Sequence, residues 1–450
     1  MTTKPVKIRR VSVLIVSWNG REHLEICLPA VLSQETPGFE VEVLVLDNAS
    51  SDGTAEWLGA NHPEVELVAS PVNLGFCAGN NRLVERAQGD AVVLLNNDTR
   101  PRPGWLAALV DALASAPDDV AAVSGQIVDW DGERLDFARG VMTFDGHAFQ
   151  QDTGRKLTQV EQPAHGAELL FACGGNMIVR RSTFLDLGGF DESYFAYLED
   201  VDLGWRVWSA GLRVLYAPDA VVHHRSMATS QRLGNHNRGF LFERNAFLTV
   251  YKNYQAGLWE RMMPAVQLTL EHRTQALLVQ NNPGAETLTV NPYDGLLADT
   301  GAGDAAADGV FVGQPPPSPT LLEKWRGYGP RDFFKRGVRK ALRSLTPWVF
   351  ETPEAPTGPE PRVTDGRTIA QLRAISNLLT HLDRAAESRR ATQARRRRDD
   401  LEIFERFPLH IVPTYPGDER LFGTTAFASW LPDDVPCVRR SLSDVMHWDP

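Results

Sequence analysis

An α/β fold on a mostly parallel, doubly wound sheet is what this sequence predicts. Short β-branched apolar runs recur through its N-terminal part, helical spacing separates them, and each run ends in polar turn formers. VSVLIVSW (residues 11–18) has the composition of a buried strand. Residues 21–34 follow with Leu24, Leu28, Val31 and Leu32 on one side of a helix. VEVLVLDNAS (41–50) is a second strand, closing on Asp47, Asn48, Ser50, Asp52 and Gly53. Residues 54–60 form a helix and VELVASP (65–71) a third strand. NLGFCAGNN (73–81) opens another helix, and DAVVLLNND (90–98) is a fourth strand. Ligands of such sheets sit at the carboxyl ends of the strands. Residues 17–19, 47–48 and 96–98 are therefore expected to converge on one crevice.

With 450 residues, 43% of them hydrophobic, the chain can bury one large core and carry a second region. A net charge of −11 speaks against nucleic acid as a partner. Cys27, Cys77, Cys173 and Cys437 are scattered without a C-x-x-C pair, which fits small buried hydrophobes in a reducing cytosol. MTTKPVKIRR lacks the apolar stretch of a signal peptide, and no run reaches the length of a membrane span. A soluble or peripheral cytoplasmic protein is expected.

Three acidic or imidazole signals stand in order along the α/β pattern: VVLLNNDTR (92–100), YFAYLEDVDLGWR (194–206) and APDAVVHHR (217–225). A carboxylate past a buried strand, a second on a helix start and a late histidine can jointly hold a divalent metal and a base. Transfer from a phosphate-activated donor needs both. Leu198, Val201, Trp205 and Trp208 recur as the buried stripe of a helix. Glu199 and Asp202 fall off that stripe, and Asp202 with Arg206 reads as an i,i+4 ion pair, surface or structural. Asp200 lies in the first turn beside Glu199, where adjacent carboxylates raise one another's pKa.

Past residue 254 the character changes. Residues 281–320 are small-residue and proline-rich and are not expected to pack, a basic amphipathic piece spans 325–349, and ETPEAPTGPEPR is a second break. A long helix over about 365–397 is expected to bury Ile369, Leu372, Ile375, Leu379 and Leu382 along one face. From Gly366 to Arg398 there are nine arginines against Asp383 and Glu387. Such a basic end, RRATQARRRR (389–398), suits either an anionic lipid surface or pairing with Asp399, Asp400 and Glu402. The expected division is a catalytic unit over 1–255, helical and Pro/Gly-rich linkers over 256–365, and a basic helix with tail over 366–450.

Eight segments, in order over more than half the chain, resemble the family 2 glycosyltransferases of the GT-A fold, above all their bacterial rhamnosyltransferase-like branch. They are VSVLIVSWNG, VLVLDNASSDGT, NLGFCAGNN, LLNNDTRP, FACGGNMIVRR, GGFDESYFAYLEDVDLGWR, PDAVVHHR and ERNAFLTVYKNY. The resemblance implies a nucleotide-diphospho-sugar transferase fold with a helical and partly disordered C-terminal extension. It also implies inverting, metal-dependent transfer of a sugar to a glycan or glycolipid in surface polysaccharide synthesis.

By that resemblance Asp47 accepts from the donor's nucleobase, with Ser17 and Asn19 nearby, although an Asx turn onto Ser50 is the simpler role for it. Asn73, Gly75 and Asn80 of the glycine-rich stretch, and Gly175, would let backbone approach the nucleotide and diphosphate. Asn96-Asn97-Asp98 stands where the family carries D-x-D. Asp98 would ligate Mg²⁺ or Mn²⁺ and Asn97 would hold the ribose, with one carboxylate fewer around the cation than usual. Asp200 takes the part of general base beside Glu199. A histidine completes the metal set, His224 by the register of PDAVVHHR and His223 as the alternative. The implied partners are a dTDP- or UDP-sugar and a polyprenyl-linked acceptor at the inner face of the plasma membrane. A sugar nucleotidyltransferase is disfavoured by SWNGREH where a basic phosphate loop would stand, and a non-catalytic sugar-binding scaffold is disfavoured by Asp98, Asp200 and the histidines together.

Overall fold

A computed structural model describes residues 8–225, 235–282, 363 and 365–447. The chain divides into two compact units, Met1–Leu277 with Gly366–Pro450, and Leu278–Asp365. The expectations for 283–320 and 325–349 lie outside the described residues.

The N-terminal half follows its apolar pattern. Strand β1 (Arg10–Ser17), α1 (Arg21–Leu32), β2 (Glu40–Asn48), α2 (Thr54–Asn61), β3 (Glu66–Ser70), α3 (Gly75–Arg86) and β4 (Ala91–Asn96) alternate as expected. Next come β5 (Thr99–Pro101), α4 (Trp105–Ser115), β6 (Val120–Asp129), β7 (Leu135–Phe137), β8 (Gly140–Met142) and β9 (Ala148–Gln150). Strand β10 (Asn176–Arg180), α5 (Arg181–Asp186), α6 (Glu199–Ser209), β11 (Arg213–His224), α7 (Asn235–Asn253) and α8 (Ala256–Asn281) follow. The C-terminal part holds α9 (Gly366–Thr380), α10 (Leu382–Ala394), α11 (Asp400–Arg406), β12 (Leu409–Ile411) and α12 (Asp418–Phe422). It ends in α13 (Thr425–Trp430), β13 (Cys437–Arg439) and α14 (Leu442–Val445).

The main sheet runs β3-β2-β1-β4-β10-β6-β11-β5, with β7 beside β6. Its first four strands are parallel, as predicted. The remainder is mixed: β10 runs antiparallel to both β4 and β6, and β5 antiparallel to β11. Strand β10 arrives after the long excursion through β7–β9 instead of through a crossover helix, so nothing forces it parallel. This insertion carries Gly174 and Gly175 to the ends of the parallel strands, where Gly175 C=O accepts from Asn96 N–H at 3.3 Å.

Three C-terminal expectations are corrected. Residues 366–447 are not an appendage, because they pack into the same unit as the first 277 residues. Trp205 of α6 stands edge-on to Tyr254 and Phe404 and donates its indole N–H to Asp400 at 3.0 Å. The long helix breaks at His381 into α9 and α10, and its apolar stripe is not the buried one. Ile369 (39% exposed), Leu372 (38%), Leu379 (64%) and Leu382 (46%) face outward, while Ala370, Gln371, Ala374 and Leu378 pack inward.

Of the two roles expected for the arginine-rich end, pairing with the acidic residues that follow it is present at Arg396 and Asp400. Arg398 donates to the carbonyls of Trp208 and Leu212 at 3.0 Å and of Gly211 at 3.2 Å. Arg395 reaches Asp186 C=O at 2.9 Å, and Arg396 pairs with Asp400 at 2.8 Å. A helix leaves its last carbonyls without intrahelical partners. A guanidinium with five donors is well suited to close them, and Arg398 does so at the end of α6.

Candidate functional site at the strand ends

The parallel strands end where the sequence places them, and their turns are tied to one another. Asn97 Nδ2 donates to Ser17 Oγ at 3.0 Å across the crevice. A Cβ on Gly20 would stand 2.1 Å from that amide, so the turn after β1 needs glycine. Asn19 N–H donates to Ser50 Oγ at 2.8 Å, and Asn19 Oδ1 accepts from Ser51 N–H at 2.7 Å. Asp47 is buried and accepts from Ser50 N–H at 3.3 Å, so the Asx turn is present. Asn48 joins Asn73 at 2.9 Å and takes Leu74 N–H at 2.7 Å. Asn73 also accepts from Gly75 N–H at 2.9 Å, and Asn80 donates to Phe76 C=O at 2.9 Å. Asn73 and Asn80 are thus occupied in holding the start of α3, whereas Ser17, Asn19, Asp47, Asn97 and Gly175 border the crevice.

Backbone strain collects here. Among the described residues six non-glycine residues have positive φ, and five flank the crevice: Asn19 (50°), Ala49 (63°), Phe195 (65°), Tyr197 (70°) and Leu198 (64°). Each costs about 1–3 kcal/mol and persists only where its surroundings over-determine it. Phe195 (φ 65°, ψ −59°) is the centre of a γ-turn closed by Ala196 N–H on Tyr194 C=O at 2.7 Å. Its own carbonyl takes Phe76 N–H at 2.7 Å and Cys77 N–H at 3.1 Å. Gly75 (φ +78°) lies against the Phe195 ring, where a Cβ would clash at 2.5 Å.

Helix α7 supplies the clamp that holds this turn. The side-chain amide of Asn245 donates to the carbonyls of Tyr194, Ala196 and Tyr197 at 3.1, 2.8 and 2.8 Å. Arg244 donates to the carbonyls of Ser193 and Tyr194 at 2.7 and 2.9 Å. Two helical turns further, Lys252 pairs with Asp191 at 2.8 Å and Asp202 at 3.0 Å, and Asn253 donates to Asp202 at 2.9 Å. Asp202 also holds Arg206 at 2.9 Å. The expected Asp202–Arg206 pair is therefore a buried junction, not a surface pair.

What the clamp positions is the start of α6. Asp200 accepts from Gly174 N–H at 3.1 Å and Val201 N–H at 2.8 Å. Burial raises its pKa, and those two donors work the other way by favouring the carboxylate. Glu199 is raised well above the carboxylate range by burial and by the Asp200 charge, and its Oε2 is buried without a partner. The first proton therefore belongs on Glu199, leaving Asp200 as the basic member of the pair.

The metal-type residues resolve into one histidine. His224 Nε2 faces Asp98 at 3.3 Å while its Nδ1 is held by Asp136 at 2.7 Å. Burial would lower its pKa, but the two carboxylates outweigh it and push the ring up to about 10. A carboxylate behind the ring is the usual way to aim a ligating imidazole. Neighbouring His223 points to the other side of β11. There its Nδ1 donates to Trp130 C=O at 3.0 Å and its Nε2 accepts from Arg102 at 2.9 Å. Both ring nitrogens are used in a neutral tautomer, so His223 is corrected out of the ligand set. Among the described residues no cluster of three or more ligating side chains forms a ready-made cage.

Sequence reasoning missed Asn245, Arg244, Lys252 and Asn253 as working residues, and Asp136 altogether. Arg244–Asn245 and Lys252–Asn253 are polar pairs set among apolar neighbours in one helix, a pattern that marks buried polar groups. Asp136 gives no such signal.

Known proteins are similar to the N-terminal half of this chain. Residues 12–188 match the model of "Glycosyl transferase family 2". An N-acetylglucosaminyl-diphospho-decaprenol L-rhamnosyltransferase of Mycobacterium tuberculosis is 32% identical over 251 residues, covering 50% of this chain and 79% of that protein. Glycosyltransferase AglE of Haloferax volcanii is 27% identical over 219 residues, covering 48% of this chain and 66% of AglE. The solved mannosyltransferase PcManGT of Pyrobaculum calidifontis, in complex with GDP-Man and Mn²⁺, superposes with a TM-score of 0.43 at 18% identity, covering 84% of this chain and 88% of its own. The chain belongs to the family 2 glycosyltransferases, in their rhamnosyltransferase-like branch, and is a nucleotide-sugar-dependent glycosyltransferase.

Proposed function

We propose that this enzyme transfers a sugar from a dTDP- or UDP-linked donor to a polyprenyl-diphosphate-linked glycan at the cytoplasmic face of the plasma membrane, inverting the anomeric centre. The observation that carries the reading is the contact chain from Asp98 to Asp200. The turn bearing Asp98 adjoins Gly175, and Gly174 N–H binds the Asp200 carboxylate. A lipid-linked acceptor is favoured by the 32% identical decaprenol-linked rhamnosyltransferase.

Asp47, with Ser17 and Asn19, would receive the nucleobase and ribose. Because Asn97 Nδ2 is bound to Ser17, its carbonyl oxygen is the group left for a ribose hydroxyl. Asp98 and His224 fit a divalent cation, Mn²⁺ or Mg²⁺, one donating a hard oxygen and the other an imidazole held by Asp136. When bound, the cation supplies positive charge against the donor diphosphate. Asp200 removes the proton of the acceptor hydroxyl as that oxygen attacks the anomeric carbon and the bond from that carbon to the diphosphate breaks, releasing the nucleoside diphosphate, and Glu199, carrying its proton, keeps a second negative charge out of the site.

The test pairs two variants with a panel of nucleotide sugars. Asp200→Asn should lower turnover by a factor on the order of 10²–10⁴ with donor affinity kept. Asp98→Ala should abolish the difference in donor affinity between Mn²⁺ and EDTA, read by calorimetry. Retained turnover with lost donor binding in Asp200→Asn would remove Asp200 from the role of base.

A further inference from the structure

Helix α9 is inside out. Its inward side is small and polar: Ala370 lies against Gly239 of α7, Gln371 donates to Glu243 at 3.2 Å, and Thr368 donates to Leu277 C=O at 3.2 Å. Its outward side carries exposed Ile369, Leu372 and Leu379 with half-buried Ile375, spaced i, i+3, i+10 and i+6, and exposed Leu382 continues the stripe into α10. Scattered exposed hydrophobes need no explanation, whereas a contiguous row of them marks a surface that something covers.

Charge indicates what covers it. The chain carries −11 overall, yet Gly366 to Ala394 holds five arginines against Asp383 and Glu387. Arg367, Arg373 and Arg384 beside the stripe are exposed and form no ion pair among the described residues. Arg367, Ala370 and Gln371 also line a cavity of about 610 Å³ together with Phe242, Glu243 and Tyr415. Phe242 in turn stacks on Tyr197, three residues before Asp200, with ring centroids 4.8 Å apart. An apolar row flanked by unpaired cations is the pattern of a helix lying in a bilayer interface. We propose that α9 and the start of α10 dock this enzyme on anionic lipid through Ile369, Leu372, Leu379 and Leu382, with Arg373 and Arg384 at the headgroups. The docking face is therefore the one expected to be core, while Arg396 and Arg398 of the arginine tract are taken up by partners within the chain. This inference rests on the proposed lipid-linked acceptor only for its purpose, because vesicle binding is read without donor or acceptor.

The experiment uses the full chain and sedimentation with vesicles of phosphatidylglycerol and phosphatidylcholine, or of phosphatidylcholine alone. The wild type should bind the anionic vesicles at low salt. Ile369→Ser/Leu372→Ser/Leu379→Ser should weaken that binding by at least about tenfold, with turnover on a short water-soluble acceptor unchanged. Arg373→Gln/Arg384→Gln should lower the anionic preference about tenfold and leave the residual binding less sensitive to salt. Wild type that ignores both vesicles, or a triple-serine variant that binds as the wild type does, overturns the proposal. So does a wild-type dimer, seen by analytical ultracentrifugation, that the triple variant dissociates while vesicle binding is absent. A second copy would then be what covers the stripe.

Discussion

Of the eleven residues of α6 all but Asp200 are buried, including Glu199, Asp202 and Arg206, while α9 keeps Ile369, Leu372 and Leu379 in the open. Helical periodicity sorts residues onto faces, but it does not decide which face turns inward. Partners decide. Around α6 the interior offers Lys252, Asn253 and the carbonyls of Leu187 and Gly189, so charge can enter fully bonded. Beneath α9 the facing helix offers Gly239 and Glu243, which take Ala370 and Gln371, so the large side chains turn out. Buried ion pairs add little net stability, but they do fix geometry. In α6 that geometry is the position of Asp200.

Breaking the α6 side of this contrast should have the largest effect. Asp202→Ala leaves buried Arg206 without a charge partner and Lys252 with Asp191 alone, and should destabilise the fold by about 3–5 kcal/mol, read as a shifted denaturation midpoint at pH 7. Asp202→Asn keeps the size but not the charge and should also be clearly destabilising, which a surface ion pair would not be.

Next in size is a pH effect on the network that α9 joins through Gln371 and Glu243. His147 lies between Asp145 (3.2 Å) and Glu243 (3.0 Å), with Arg273 also on Asp145. Burial would lower the His147 pKa, but the two carboxylates outweigh it and raise the ring from 6.5 to about 9. A group held protonated by the fold contributes fully below its unfolded pKa and loses that contribution as pH rises through its folded one. Stability should therefore fall between pH 6.5 and about 9, by up to about 3 kcal/mol. Denaturation curves of His147→Gln should lack that slope.

A smaller effect separates positioning from stability. Asn245→Ala frees three carbonyls of the strained turn before α6. Turnover should drop by about 10–10² as Asp200 loses its aim. Donor affinity, read by calorimetry, should hold, since Ser17, Asp47 and Asn97 are held by bonds that do not involve this turn. Equal losses in both would make Asn245 a general stabiliser.

The convergence of the strand ends was legible in the sequence because continuous apolar runs announce buried strands, and strand ends of a parallel sheet converge by topology. Ser17 meets Asn97 for that reason. The stripe of Val201, Trp205 and Trp208 was legible as well, since tryptophans at helical spacing rarely face water. Other features had no local signal. Nothing in YFAYLED announces the positive φ of Phe195, Tyr197 and Leu198, which tertiary bonds from Asn245 enforce. The choice between His223 and His224 awaited the register of β11, because neighbours in a strand point to opposite faces and only one can meet Asp98. The C-terminal part misled because an apolar stripe reads as core whenever nothing says what else could cover it.

The α9 side of the contrast can be sharpened with two adjacent leucines. Leu378 is 8% exposed and packs inward, whereas Leu379 is 64% exposed on the outward stripe. If inward packing alone decides stability, Leu378→Ala should cost about 2 kcal/mol or more, within the range for a buried leucine. Leu379→Ala should change stability by no more than about 0.5 kcal/mol, as for a surface site. Alanine is the stronger helix former, so any small gain at position 379 would come from propensity. Chemical denaturation of the two variants at pH 7, without vesicles, makes the comparison directly. Equal losses would mean that Leu379 is covered within the chain itself. A loss at Leu378 alone, with vesicle binding weakened only by Leu379→Ala, would assign one leucine to the core and its neighbour to the lipid surface.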